Sequence, residues 1–106
     1  MKARKRRRLE RSGWRIGHTE EFLELSKEDA AFVEVKLGLA RRLRALRAHR
    51  KLSQAAVAKL LGSSQSRVAK METGDATVSI DLLVRSLLVI GASRRDIARA
   101  IARRAA

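Results

Sequence analysis

Gln65, Ser66 and Arg67 are consecutive, Lys70 follows three positions on, and none of the four is an aliphatic residue. Amide, hydroxyl, guanidinium and ammonium groups grouped in this way suit the edges of base pairs. A bidentate Arg-to-guanine or Gln-to-adenine contact discriminates by ~1–3 kcal/mol. A second glutamine, Gln54, lies upstream, flanked by Arg50, Lys51 and Ser53; Ser64 and Thr73 bracket the polar group itself. Arg50, Lys51, Ser53, Ser64 and Thr73 are the candidates for phosphate contacts through charge, hydroxyl or backbone amide. For Ser53, Ser64 and Thr73 the alternative is helix capping alone.

Such side chains read a groove only if one rod carries them outward. The stretch Ser53 to Gly74, SQAAVAKLLGSSQSRVAKMETG, supplies the rod and its support. Its periodicity predicts two short helices. Ser53 caps the first, with Val57, Ala58, Leu60 and Leu61 facing inward. Gly62 takes the left-handed conformation that ends it. Ser64 caps the second, Gln65 to Thr73, with Val68 and Met71 inward, and Gly74 closes it. Ala58, Gly62 and Val68 are the small and branched residues that two steeply crossing helices need at their corner. A polar helical hairpin is the competing reading of the same stretch.

The pattern SQxxVAxxLGxSQSxVxKxExG closely resembles the helix-turn-helix of the Cro/phage-repressor (Xre) family, over roughly Leu39 to Ser93. Gln54 and Gln65 match the paired glutamines that open the two helices there. The resemblance implies a phosphate contact by Gln54 and a hydrogen bond from it to Gln65.

Around this pair the sequence predicts an all-α chain: a compact five-helix lambda-repressor-like helix-turn-helix domain with an N-terminal helical extension and a basic tail. A long helix runs from about Glu28 to Arg50, opened by Ser26 and Asp29 at capping-box spacing. One apolar stripe on it is Phe32, Val35, Leu39, Leu43 and Leu46; an adjoining one is Val33, Leu37 and Ala40. Gly38 marks either a bend or a close approach by another helix. Beyond Gly74, Ser79 caps a helix with Ile80, Leu83, Leu87 and Ile90 inward, ended by Gly91. Ser93 and Asp96 open a last helix carrying Ile97 and Ile101. One recognition helix reads few base pairs, so a homodimer is expected, with half-sites ~34–36 Å apart. Its contact is expected at Ile97 and Ile101, the spare stripe of the long helix being the alternative.

Charge divides the chain. Of 106 residues, 25 are basic and 11 acidic, a net of +14, which points to a polyanionic partner. Residues 1–18 hold eight basic side chains and one acidic, a net of +7, and form a basic arm. Residues 19–34 reverse this, with six acidic side chains against Lys27, a net of −5. A short helical turn is expected at 19–24. The organisation is thus a basic arm 1–18, an acidic helical extension 19–38, and a DNA-binding domain 39–106.

Other chemistries find little support. Cysteine is absent, which excludes disulfides and thiolate metal sites. His18 and His49 have no carboxylate constellation nearby, and the serines stand at cap positions without a base. No cofactor, no metal and no catalysis are expected. No apolar run approaches the ~18–20 residues of a membrane span, and the charged N-terminus lacks a signal peptide's apolar core. A cytoplasmic protein, with no membrane partner, is the expectation.

A second resemblance covers most of residues 13–93, through GWRIGHTEEFLELS, FVEVKLGLARRLRALR, SQSRVAKME and VSIDLLVRSLL: the chain looks like antitoxins of the HigA type. This implies a type II toxin–antitoxin role, in which the protein neutralises a RelE/HigB-like messenger-RNA endoribonuclease and represses the shared operon by binding operator DNA. A ribonuclease that holds RNA is cationic, and the acidic extension carries apolar residues beside its carboxylates. Trp14, Glu20, Glu21, Phe22, Leu23, Glu24, Phe32 and Val33 are the candidate toxin contacts. The alternative for the acidic residues is that they only help to start helices. The alternative for the whole chain is a stand-alone phage-type repressor.

Overall fold

The structure, a computed structural model, describes residues 26–103. The basic arm 1–18, the expected helix at 19–24, and Trp14, Glu20, Glu21, Phe22, Leu23 and Glu24 lie outside the described residues. The chain divides into two units between Ala31 and Phe32, and the helices that bear on function belong to the second.

Five helices and no strand make up the described residues: α1 (Lys27–His49), α2 (Gln54–Leu61), α3 (Gln65–Thr73), α4 (Ile80–Val89) and α5 (Arg94–Ala102). The expected all-α, five-helix arrangement is what the chain adopts. Every helix start is signalled by a serine. The hydroxyls of Ser26, Ser53, Ser64, Ser79 and Ser93 accept from the backbone N–H three residues on, at 3.0–3.2 Å. At Ser93 the box is reciprocal, Ser93 N donating back to Asp96 Oδ2 at 3.3 Å. That backbone donor, and then Arg99 at 2.9 Å, hold the Asp96 carboxyl below its usual range.

The helix ends follow one hydrogen-bond pattern too. After α1, α2, α3 and α4 the N–H of the turning residue and of its successor reach back to carbonyls of the last turn. Gly62 and Gly74 make the turn with φ of 65° and 69°. After α1 the same place is taken by Lys51, at φ 60°, where a side chain raises the cost of the left-handed conformation.

The core is aliphatic and lies between α1's second half and the other four helices: Leu39, Leu43, Val57, Val68, Met71, Leu83 and Leu87 are fully buried. Full burial on α1 begins at Leu39, with Val35 partly buried against the core, so its first stripe is cut short. Phe32 is 56% exposed and Val33 45% exposed, so the front of both stripes stays outside the core. A stripe records which residues share a face, and burial needs a facing helix as well. The second stripe is not spare over its whole length: Leu37 packs on Gly74, and Ala40 is buried. On α2, Leu60 is 58% exposed, a further correction. At 100° per residue it stands far from the face that Val57, Ala58 and Leu61 share.

Gly38 is a close approach. A Cβ there would stand 2.4 Å from the Ala100 carbonyl oxygen, so the α1 and α5 backbones meet at this point. Replacing Gly38 by Ala should therefore destabilise the fold by about 2 kcal/mol, because overpacking outweighs the ~1 kcal/mol of helix propensity gained. Urea unfolding followed by circular dichroism measures this, and a midpoint equal to or above that of the parent chain would refute the contact.

Candidate nucleic-acid interface

Gln65, Ser66, Arg67 and Lys70 are all exposed on the outer face of α3, while Val68 and Met71 fix its inner face in the core. The first three form the N-terminal turn and Lys70 stands one turn on. The corner beneath them is built as its small residues suggest: Ala58 is buried, Gly62 turns the chain, and Val68 is fully buried.

The hydroxyls divide by chemistry. Ser53 and Ser64 cap α2 and α3 as acceptors, which leaves each O–H hydrogen available to a further acceptor such as a phosphate oxygen. Ser64 Oγ also lies 3.3 Å from Ser66 Oγ. Thr73 differs: its Oγ1 donates to the Lys70 carbonyl at 3.0 Å. With its hydrogen used inside the helix, it has none to donate to phosphate. Arg50 is also placed otherwise than its position in sequence suggests. Its guanidinium lies against Gly91, where an added Cβ would come within 2.4 Å of Nη2, so it rests on the corner after α4. Lys51 is exposed at the end of α1. Asp75, just after α3, is held below the usual carboxylate range chiefly by the Thr77 hydroxyl, then by its backbone N–H.

Behind the exposed face lies a buried polar cluster that patterning alone does not reveal. Glu72 is almost fully buried and is gripped by Arg47, Nε on Oε2 and Nη2 on Oε1 at 3.1 Å. Arg47 Nη1 also donates to the Leu52 carbonyl at 2.9 Å. Glu72 raises the Arg47 pKa above its ordinary value, mainly by hydrogen bonding, against the opposing effect of burial. Gln54 Nε2 donates to Glu72 Oε1 at 3.0 Å, and Gln65 Nε2 donates to Gln54 Oε1 at 2.9 Å. The pairing of the two glutamines that the family resemblance implies is thus present. Glu72 and Arg47 support this face from behind, and residue types alone do not single them out. The available signal was phase, for Glu72 comes four residues after Val68 and so shares its inward face.

Residues 38–101 match the model of the helix-turn-helix domain family. The chain belongs to that family. Neither a curated protein nor a solved structure matches it. As a helix-turn-helix protein it carries a DNA-binding domain, in which α2 is the supporting helix and α3 the recognition helix. Among the described residues no His, Cys, Asp or Glu group could hold a metal ion, and no helix is long and apolar enough to cross a membrane.

The remaining sequence candidates fall on other faces. Ile97 is buried in the helix-turn-helix core, which leaves Ile101, 42% exposed, as the part of the expected dimer contact that another chain can reach. Phe32 and Val33 are accessible on α1.

Glu72→Ala removes one partner of a buried pair and leaves the Arg47 guanidinium without its anion. It should cost about 3 kcal/mol or more. Thermal or urea unfolding checks this, and a loss below about 1 kcal/mol, the level of an exposed pair, would sink the reading.

Proposed function

We infer that this helix-turn-helix protein is a sequence-specific repressor that reads operator DNA with Gln65, Ser66, Arg67 and Lys70, and that it serves as the antitoxin of a RelE/HigB-like ribonuclease. The observation that carries the first half is the exposed polar turn of α3, whose leading amide is held in place from behind by Gln54. Recognition helices present their N-terminal residues to base edges in this manner. Lys51, Ser53, Gln54 and Ser64 add phosphate contacts around that turn, and the net charge of +14 makes the encounter with DNA favourable and salt-dependent.

Arg67→Ala should erase discrimination at its base, losing about tenfold between operator and scrambled duplex. Lys51→Ala should weaken all duplexes alike and lower the salt slope by about one. Competition titrations at several salt concentrations separate the two; equal losses on both duplexes for both variants would overturn the assignment of α3.

The antitoxin role is favoured over a stand-alone repressor by the exposed apolar pair Phe32 and Val33, within a stretch whose residues 19–34 carry a net of −5. Anionic and apolar groups together suit the cationic surface of an RNA-cutting enzyme. Two copies acting together would span two half-sites, with Ile101 as a contact. The test is co-expression with the products of the genes that flank this one. The parent chain should co-purify with a ribonuclease among them and rescue growth, whereas Phe32→Ser with Val33→Ser should do neither while still binding operator. Undiminished rescue by the double variant, or the absence of any co-purifying nuclease, leaves the stand-alone repressor.

A further inference from the structure

The hydrogen bonds that join the interior to the recognition helix run in one direction. Both Glu72 oxygens already receive N–H groups from Arg47, so towards Gln54 the carboxylate is an acceptor with no hydrogen to give. Gln54 must meet Oε1 with its Nε2, which it does at 3.0 Å. Its own Oε1 then faces Gln65, and a carbonyl oxygen only accepts. Gln65 must answer with Nε2, at 2.9 Å. A glutamine amide is nearly the same shape when turned by 180°, but turning either one here would set two oxygens or two NH2 groups against each other. The polarity of the chain therefore starts at a residue that is buried and stands away from the exposed face.

We propose that Glu72 is a positioning residue for base recognition: through Gln54 it fixes the Gln65 amide with its carbonyl oxygen and one N–H free, the pair that matches the N6 donor and N7 acceptor of adenine. This rests on the reading of α3 as the base-reading helix. The carboxylate thus selects the base at one position without approaching the duplex. In Glu72→Gln the new amide sets its NH2 against one Arg47 N–H whichever way it lies, so neither orientation is enforced and Gln54 can meet either an oxygen or an NH2. The direction of the hydrogen bonds is then no longer fixed, and in the turned arrangement Gln65 shows N–H donors outward with its oxygen turned in. Such a face suits the two acceptors of guanine.

Selection of the full chain against a randomised duplex library tests this. Gln65→Ala should flatten one adenine column of the preferred site and so identify the position that Gln65 reads. Glu72→Gln should broaden that column from adenine to adenine and guanine, leaving the column read by Arg67 unchanged. A role confined to stability would weaken all columns together; that outcome, or an untouched adenine column, overturns the proposal. If Glu72→Gln does not fold, Gln54→Leu keeps the Arg47–Glu72 pair and must flatten the same column, and a column still sharp in that variant is equally fatal. Should the parent chain itself select no sequence, the base-reading assignment falls first, recognisable because no variant then has a column to lose.

Discussion

The Arg47–Glu72 ion pair is the constraint on which the arrangement of three helices depends. Arg47 belongs to the last turn of α1, Glu72 to the last turn of α3, and the Leu52 carbonyl and Gln54 amide to the entry of α2. A guanidinium and a carboxylate withdrawn from water are tolerated only when both are hydrogen-bonded in good geometry. Moving any of the three helices would leave a buried donor or acceptor without a partner. Aliphatic contacts alone would let α3 slide or rotate with little change in buried area, since hydrophobic burial has no direction. The polar cluster supplies the direction, and it does so immediately behind the residues that face outward.

Local signals at the helix ends act in the same sense. Serine caps start every short helix and left-handed closures end α2, α3 and α4, and short helices are marginal without such help. The corner between α2 and α3 is the point where a one-residue shift would rotate Gln65 and Arg67 by about 100° away from the outer face. Capping by Ser64 and turning at Gly62 prevent that shift. The structural and functional demands on this corner are therefore one demand.

The front of α1 behaves differently. Its stripe of Phe32, Val35 and Leu39 is continuous in sequence, yet Phe32 is exposed, Val35 is only partly buried against the core, and full burial begins at Leu39. Phe32 and Val33 keep large apolar surfaces accessible on a helix whose other end is part of the core. Their chemistry, beside an anionic stretch, differs from that of the cationic recognition helix.

Much was legible from residue types and spacing. The five helices, their serine starts, the glycine ends at Gly62 and Gly74, the inward Val68 and Met71 and the outward Gln65 to Lys70 all follow from local rules. Those rules depend on one helix and its caps, which a single stretch of sequence contains in full. What only the tertiary structure decided involves residues far apart in the chain. Gly38 could be a bend or a contact until Ala100 was seen against it; Ile97 turned out to serve the core and Thr73 its own helix. Arg50 came to rest on Gly91, and Glu72 found Arg47 across 25 residues of sequence. Period and propensity say which way a side chain leaves its helix. What it meets there is set by how the helices pack, and the polarity of the Gln54–Gln65 pair exists only because that packing buried a carboxylate behind it.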